Sequence, residues 1–492
     1  GGISRLWGAC QANTENRQRR LCLFEKGFIL IMPILAAFMV PHPILAIPEI
    51  GKGKESNLSA TIASFNLITK KIAQLQPDTI IWISPHAESY ADFFQIADGD
   101  VGIGSFKKYG APDLSFRMLY DKILAREISR ECKINRLQGG TENGTEGEID
   151  HGTMVPLYFI NHEFRDFLSV RVGVSGQSLA EHYRFGQIIK SSVEQLGRKA
   201  VVIASGDLSH CQLRTSSYGY RPEGAIYDEQ IMRVMSKANF GELLSFNRFL
   251  LGEAIQCGHA AFTILAGCLD REDVDCLRLS HEAPYGTGYG FCCFTPKGEN
   301  QSRAFLNLYQ ERERLLAKER MDRADVYVRL ARQAIETFIA TKRFLKPSQT
   351  LPPELNKEKA GVFVTIYREG ELRGCIGSIK PKKKTLAEEI IANAVAAAYK
   401  DERFEPLNEN ELDNLIIVVD VVRNLIPVLS ITDLDSQKYG VMVEFEDKHA
   451  VLLPKLPGID TPEKQIEICK RKAGIPLYED VDLYRFETEH HV

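Results

Sequence analysis

Residues 33–43 read PILAAFMVPHP, an apolar run closed by His42 between two prolines. Eight such residues bounded by a proline turn predict a strand buried on both faces, the kind a covered parallel sheet uses. The pattern recurs along the first half of the chain. TIIWIS at Thr79–Ser84 runs into Pro85-His86, and AVVIA at Ala200–Ala204 runs into Ser205-Gly206-Asp207-Leu208-Ser209-His210. Leu168–Val174 reads as one more strand. Leu58, Ile62, Phe65, Ile68, Ile72 and Leu75 give one helix face ended by Pro77-Asp78, and Tyr183–Leu196 reads as a crossover helix. Strands alternating with helices predict a three-layer α/β domain with a central sheet from Met32 to about Thr295.

Such sheets bind ligands at the carboxyl ends of their strands. His42, His86 and His210 all follow strands and are therefore expected at one sheet edge. His151 follows the polar, glycine-rich stretch Gly139–Glu148 and is expected to join them. Imidazole is the commonest metal ligand and titrates near neutral pH. One histidine after a strand is usually a capping residue; four at equivalent positions point to a metal or acid–base site.

Composition bounds the function. The 492 residues are 44% hydrophobic and 26% charged, with a net charge of −4 and the two signs interspersed, which argues for ordered domains and against a nucleic-acid or membrane-surface binder. Eleven cysteines without a CxxC pair do not resemble a secreted disulfide framework, so a reducing, cytoplasmic compartment is expected. Arg19 and Arg20 precede an apolar stretch, Phe28–Val40, that is shorter than the ~20 residues needed to span a bilayer. Residues 1–31 are read as a leader outside the fold.

Pro296–Ser302 (PKGENQS) is polar and breaks both periodicities, so a linker is expected there. The expected division is 32–298 for the metal domain, 299–321 for a helical linker and 322–492 for a second, α+β domain. Phe305 to about Phe344 reads as helical with a break near Glu319–Asp322; Gly361–Tyr367, Leu415–Val422 and Val441–Leu453 read as β, with a helix over Leu386–Tyr399. Leu372-Arg373-Gly374-Cys375-Ile376-Gly377 reads as a glycine-bounded turn around Cys375, with Arg373 placed to favour its thiolate.

The histidine motifs, together with Asp150–Leu157 (DHGTMVPL) and Glu282–Gly290 (EAPYGTGYG), resemble the class III extradiol ring-cleavage dioxygenases and the related Memo proteins over Met32 to about Thr295. The resemblance implies metal ligation by His42 and His86, acid–base catalysis by His210, substrate contact by His151 and an orienting role for Asp207. It places the third ligand in Glu253–His259 (EAIQCGH), where dioxygenase-like members carry Glu before Cys-Gly and this chain has Gln256. Glu253 could replace it, and Memo-type members use a cysteine matching Cys257. Helical spacing would put Glu253, Gln256 and Cys257 on one face, so all three are candidates. LRGCIG, with Lys400–Leu407 (KDERFEPL) and Ala450–Pro454 (AVLLP), resembles the AMMECR family over about Asp322–His490 and makes Cys375 a candidate reactive group. The fused arrangement resembles the AmmeMemoRadiSam system, which implies a separate radical SAM partner.

The resulting expectation is an Fe(II)-dependent oxidoreductase, with another divalent metal as the alternative, acting on a small catechol- or aminophenol-like aromatic. The rival readings are a Memo-like metal component without ring cleavage and a non-enzymatic scaffold. The extradiol relatives imply a homo-oligomer.

Overall fold

In the computed structural model, which describes residues 33–142, 148–456 and 459–492, the run after Pro33 becomes strand β1 (Ile34–Val40) and its last five residues have no exposed surface. The leader reading for residues 1–31 and part of the glycine-rich stretch lie outside the described residues. The chain divides into two compact units: residues through Leu244 with Glu253–Phe305, and Ser245–Gly252 with Leu306–Val492.

The first unit contains α1 (Ser59–Leu75), β2 (Thr79–Ser84), α2 (His151–Ile160), β3 (Leu168–Gly173), α3 (Leu179–Leu196), β4 (Ala200–Ser205), α4 (Pro222–Ser236), α5 (His259–Cys268), β5 (Glu272–Glu282) and β6 (Tyr289–Glu299). Its six-stranded sheet has the order β3-β2-β4-β1-β6-β5. The first four strands are parallel, and β6 and β5 complete the sheet antiparallel. Alternate side chains from Ala36 to Val40 share a core with Ile80, Trp82, Val201 and Ile203 and with residues of α1 and α2. Phe65 of α1 stacks on Phe159 of α2 at 4.2 Å and meets Phe291 of β6 edge-on at 4.8 Å. Helix α5 packs on α3 and over β4, β1 and β2, giving the third layer.

Local chemistry shifts several boundaries from those read in the sequence. Helix α3 starts four residues before Tyr183, because the Ser178 side chain accepts from the Glu181 N–H and caps it. The expected linker Pro296–Ser302 is partly strand: β6 runs to Glu299 and absorbs Pro296 and Gly298 through a register shift against β5.

In the second unit, helix Phe305–Arg323 is followed by α6 (Val326–Thr341), and the break falls at Ala324–Asp325, where Asp325 caps α6 through the N–H groups of Tyr327 and Val328. Then come β7 (Val362–Arg368), β8 (Glu371–Ser378), α7 (Leu386–Tyr399), β9 (Leu415–Val428), β10 (Gly440–Phe445), β11 (Lys448–Leu452), α8 (Pro462–Ala473) and β12 (Asp482–His491). They form an antiparallel sheet of order β8-β7-β9-β12-β10-β11. Val362, Val364 and Ile366 share a core with α6 and α7, while Val441, Val443 and Cys469 share another. The LRGCIG segment is strand, not the expected turn, and the β-rich stretch Val441–Leu453 is the hairpin of β10 and β11. The chain is thus a three-layer α/β unit followed by an α+β unit.

Candidate metal centre

Because β1, β4 and β2 are neighbours and parallel, their carboxyl ends deliver His42, Ser205 to His210, and His86 to one place. Nε2 of His42 lies 3.1 Å from Nε2 of His86. The tautomer of His42 follows from its other nitrogen. Ser205 Oγ spends its proton on the carbonyl of Gly152 at 2.6 Å, so it accepts from Nδ1–H of His42 at 2.9 Å. The bare Nε2 of His42 therefore faces the centre, as a histidine ligand requires.

The third atom of a group that could hold a metal ion is a sulfur. Cys257 Sγ lies 3.7 Å from His42 Nε2, and the ligand atoms of His42, His86 and Cys257 all lie within 4.8 Å of one another. A close backbone approach makes this possible: a Cβ on Gly206 would fall 2.2 Å from Cα of Gly258, so glycines let the loop after β4 touch the turn before α5. There the N–H of Asp207 donates to Cys257 Sγ at 3.2 Å. Burial and the Asp207 charge push the free thiol well above its ordinary range. With His42 Nε2 bare, the 3.1 Å contact is donated by Nε2–H of His86, so a bound cation would take the place of that proton and of the thiol proton; two imidazoles and one thiolate then fit a single soft or borderline metal ion.

Of the other two third-ligand candidates, neither joins this group. Glu253 ends the short helix Arg248–Glu253 and bonds Arg221 at 2.9 Å. Gln256 accepts from the His259 N–H at 2.8 Å, where α5 begins. The expected shared helix face is absent because the helix stops at Glu253 and Ile255 adopts a left-handed φ of 52°. His259 is a buried structural histidine on the Leu243 carbonyl at 3.0 Å.

Asp207 is buried and bridges the site. Its Oδ1 accepts from the His42 N–H at 2.8 Å, while Oδ2 lies 3.6 Å from His42 Nε2 and 3.8 Å from His210 Nε2. Burial opposes its charge, but His42, His210 and the hydrogen bonds hold its pKa below the usual carboxylate range. His210 also pays a burial penalty, outweighed by Asp207 and by the Ile255 carbonyl, which accepts from Nδ1 at 2.5 Å; its pKa is raised. The other histidines go the opposite way. Burial lowers His42 and His151 to about 4, and burial and the neighbouring His151 lower His86. Burial thus disfavours the charged form at His42, His86 and His151, whereas Asp207 favours it at His210.

His151 lies at the first turn of α2, 4.2 Å from the His86 ring and 5.8 Å from the Tyr109 ring, and is not in the ligand group. Sequence reasoning missed its support. Asp150 caps α2, accepts from Ser84 Oγ at 2.5 Å and pairs with Arg171 at 3.3 Å; Arg171, 1% exposed, also reaches Glu88 at 3.3 Å. An arginine inside the apolar strand LSVRVG was the available signal, since a buried charge demands partners.

Cys375 belongs to the second unit. Arg373, expected to favour its thiolate, is instead the extra residue at a register shift and bonds both oxygens of Glu411 at 2.8 and 3.1 Å. The Cys375 N–H donates to Asp401 at 2.9 Å, and its sulfur lies 3.3 Å from Thr365 Oγ1. No helix among the described residues is long and apolar enough to cross a membrane.

Residues 36–292 match the family model of the catalytic LigB subunit of aromatic ring-opening dioxygenase, and residues 328–491 match the AMMECR1 model. Protein CA_C1420 of Clostridium acetobutylicum is 33% identical over 471 residues, covering 94% of this chain and 99% of its own. A Thermotoga maritima protein is 44% identical over 165 residues, covering 33% of this chain and 95% of its own. The crystal structure of PH0010 from Pyrococcus horikoshii aligns at 34% identity over 34% of this chain and 89% of its own, with a TM-score of 0.32. With a strand-end histidine site in its first unit and full-length similarity to a relative of the same size, the chain belongs to the LigB family and carries a C-terminal AMMECR1 domain.

Proposed function

We propose that the first unit binds one metal ion through His42, His86 and Cys257 and acts as a Memo-like metal-dependent oxidoreductase without catechol ring cleavage. The observation that carries this reading is the third donor, a cysteine sulfur, with Glu253 and Gln256 turned to other partners. Extradiol chemistry on ferrous iron uses two histidines and one carboxylate; a thiolate shifts the preference toward softer ions such as copper or zinc. When bound, the metal supplies Lewis acidity and, for iron or copper, single-electron chemistry.

The protein's own groups then have definite tasks. His210 stores a proton on Nε2 beside Asp207 and passes it to a substrate oxygen near the centre. His151, neutral and backed by Tyr109, offers a flat wall for a small aromatic or peptide side chain. Asp207 keeps His42 and His210 in register. A separate radical SAM protein remains the partner suggested by the domain combination.

The test is anaerobic reconstitution with Fe(II), Cu(II) and Co(II), followed by spectra and, after admission of O2, a panel of catechols and aminophenols. One equivalent of metal, a sulfur-to-metal charge-transfer band and no ring-opened product are expected. The competing reading, ring cleavage on Fe(II), has the LigB family match and the His210–Asp207 pair in its favour; accumulation of a ring-opened semialdehyde would establish it instead.

A further inference from the structure

A cavity of about 450 Å³ lies wholly within the second unit, lined by residues of β7 and β8 on one side and of β10 and β11 on the other. In the sheet order β9 and β12 separate those pairs, so the sheet must curl to bring them around one space. Phe363, Gly377, Met442 and Glu444 line it from the sheet face opposite the helices, and Lys472 reaches its rim from α8. Phe363 and Gly377 alternate with Val362, Val364 and Ile376, which belong to the core under α7. Met442 and Glu444 alternate with Val441 and Val443, which pack with Cys469 of α8.

The cavity is basic. Lys380, Lys382 and Lys472 line it against a single carboxylate, Glu444. The backbone that carries the first two lysines is fixed from below. Glu389, 2% exposed, accepts the N–H groups of Lys382 and Lys383 at 2.8 and 2.7 Å and the Ser378 hydroxyl at 3.0 Å. This buried carboxylate is spent on backbone and hydroxyl donors, and no carboxylate among the described residues forms a salt bridge with the ammonium groups of Lys380 or Lys382. Lys472 is tethered at the rim by the Val451 carbonyl at 3.2 Å. Three exposed lysines lining one cavity suit phosphate oxygens, which ammonium groups bind as point charges.

The floor is aromatic. A Cβ on Gly377 would fall 2.3 Å from the Phe363 ring, so glycine lets that ring approach β8 closely; Phe363 is partly buried and lines the cavity. Aromatic faces of this kind stack planar bases. Cys375 lies two residues from Gly377 on the same strand.

We propose that this cavity binds a nucleotide, an organophosphate bearing a planar heteroaromatic ring, with Lys380, Lys382 and Lys472 on the phosphates and Phe363 against the ring. The assignment is independent of the metal centre. It is tested by calorimetric titration of the full chain at low ionic strength with ADP, FMN and inorganic pyrophosphate. Saturable binding of pyrophosphate and tighter binding of ADP or FMN are expected, the choice between them identifying the ring. The exposed double variant Lys380→Glu/Lys382→Glu should keep its thermal transition and lose at least about tenfold in affinity for all three. Phe363→Leu should erase the preference for the ring-bearing ligand and leave pyrophosphate unchanged. The assignment is overturned if none of the three binds at millimolar concentration, if the double variant binds as tightly as the parent, or if Cys257→Ser alone abolishes binding.

Discussion

Cys257 Sγ stands 3.7 Å from His42 Nε2 and accepts from the Asp207 N–H, on a turn whose Cys257 and Gly258 N–H groups donate to the Asp207 carbonyl. Removing that sulfur should therefore cost metal affinity directly. Cys257→Ser is expected to weaken binding by roughly 10–100-fold and to abolish the sulfur charge-transfer band, while Glu253→Ala leaves both unchanged. Competitive chelator titration of the two variants measures this, and a larger loss in Glu253→Ala would reinstate the carboxylate as ligand.

Ser205 fixes the tautomer of His42 by accepting from Nδ1 while donating to Gly152. Ser205→Ala leaves Nδ1–H and the Gly152 carbonyl buried without that hydroxyl. Metal affinity should fall by roughly 10-fold or more, with a loss of stability of about 1–3 kcal/mol. Chelator titration and thermal unfolding of the same sample separate the two effects.

Ile255 is β-branched at φ 52°, a conformation that disfavours it. Asparagine tolerates that region, and the carbonyl that holds His210 is backbone. Ile255→Asn should raise stability by about 1 kcal/mol without changing metal affinity. A lower midpoint in thermal denaturation would mean that packing of the isoleucine side chain outweighs the strain.

Burial depresses His42 from 6.5 to about 4, so between those values the unfolded chain binds a proton that the folded one refuses. Stability of the metal-free protein is therefore fully present above about pH 6.5 and declines as pH falls toward 4, by roughly 3 kcal/mol for a shift of this size. His151 adds to the loss in the same direction. Denaturant unfolding of metal-free protein across this range measures it, and His42→Gln should flatten the dependence. His490 has the opposite sign: its hydrogen bond to Asp420 raises its pKa, so its contribution is present at low pH and fades as pH rises through that value.

The strand-end histidines were legible in the sequence because parallel strands buried on both faces write continuous apolar runs, and such strands end at one edge. His42, His86, Asp207 and His210 could be placed together from that rule alone. The LigB and AMMECR resemblances were equally visible, since they rest on contiguous motifs. Tertiary structure decided which third-ligand candidate stands beside the histidines. Spacing treats Glu253, Gln256 and Cys257 as one helix face, but the helix ends at Glu253, Ile255 reverses the backbone and the Gly206–Gly258 contact carries Cys257 inward. The same holds for Arg171 and Asp150, 21 residues apart in the chain, and for the basic cavity of the second unit, whose walls are strands that sequence order keeps apart. Local sequence fixes periodicity and strand ends; which side chains meet across a sheet or a turn depends on long-range packing that no local pattern encodes.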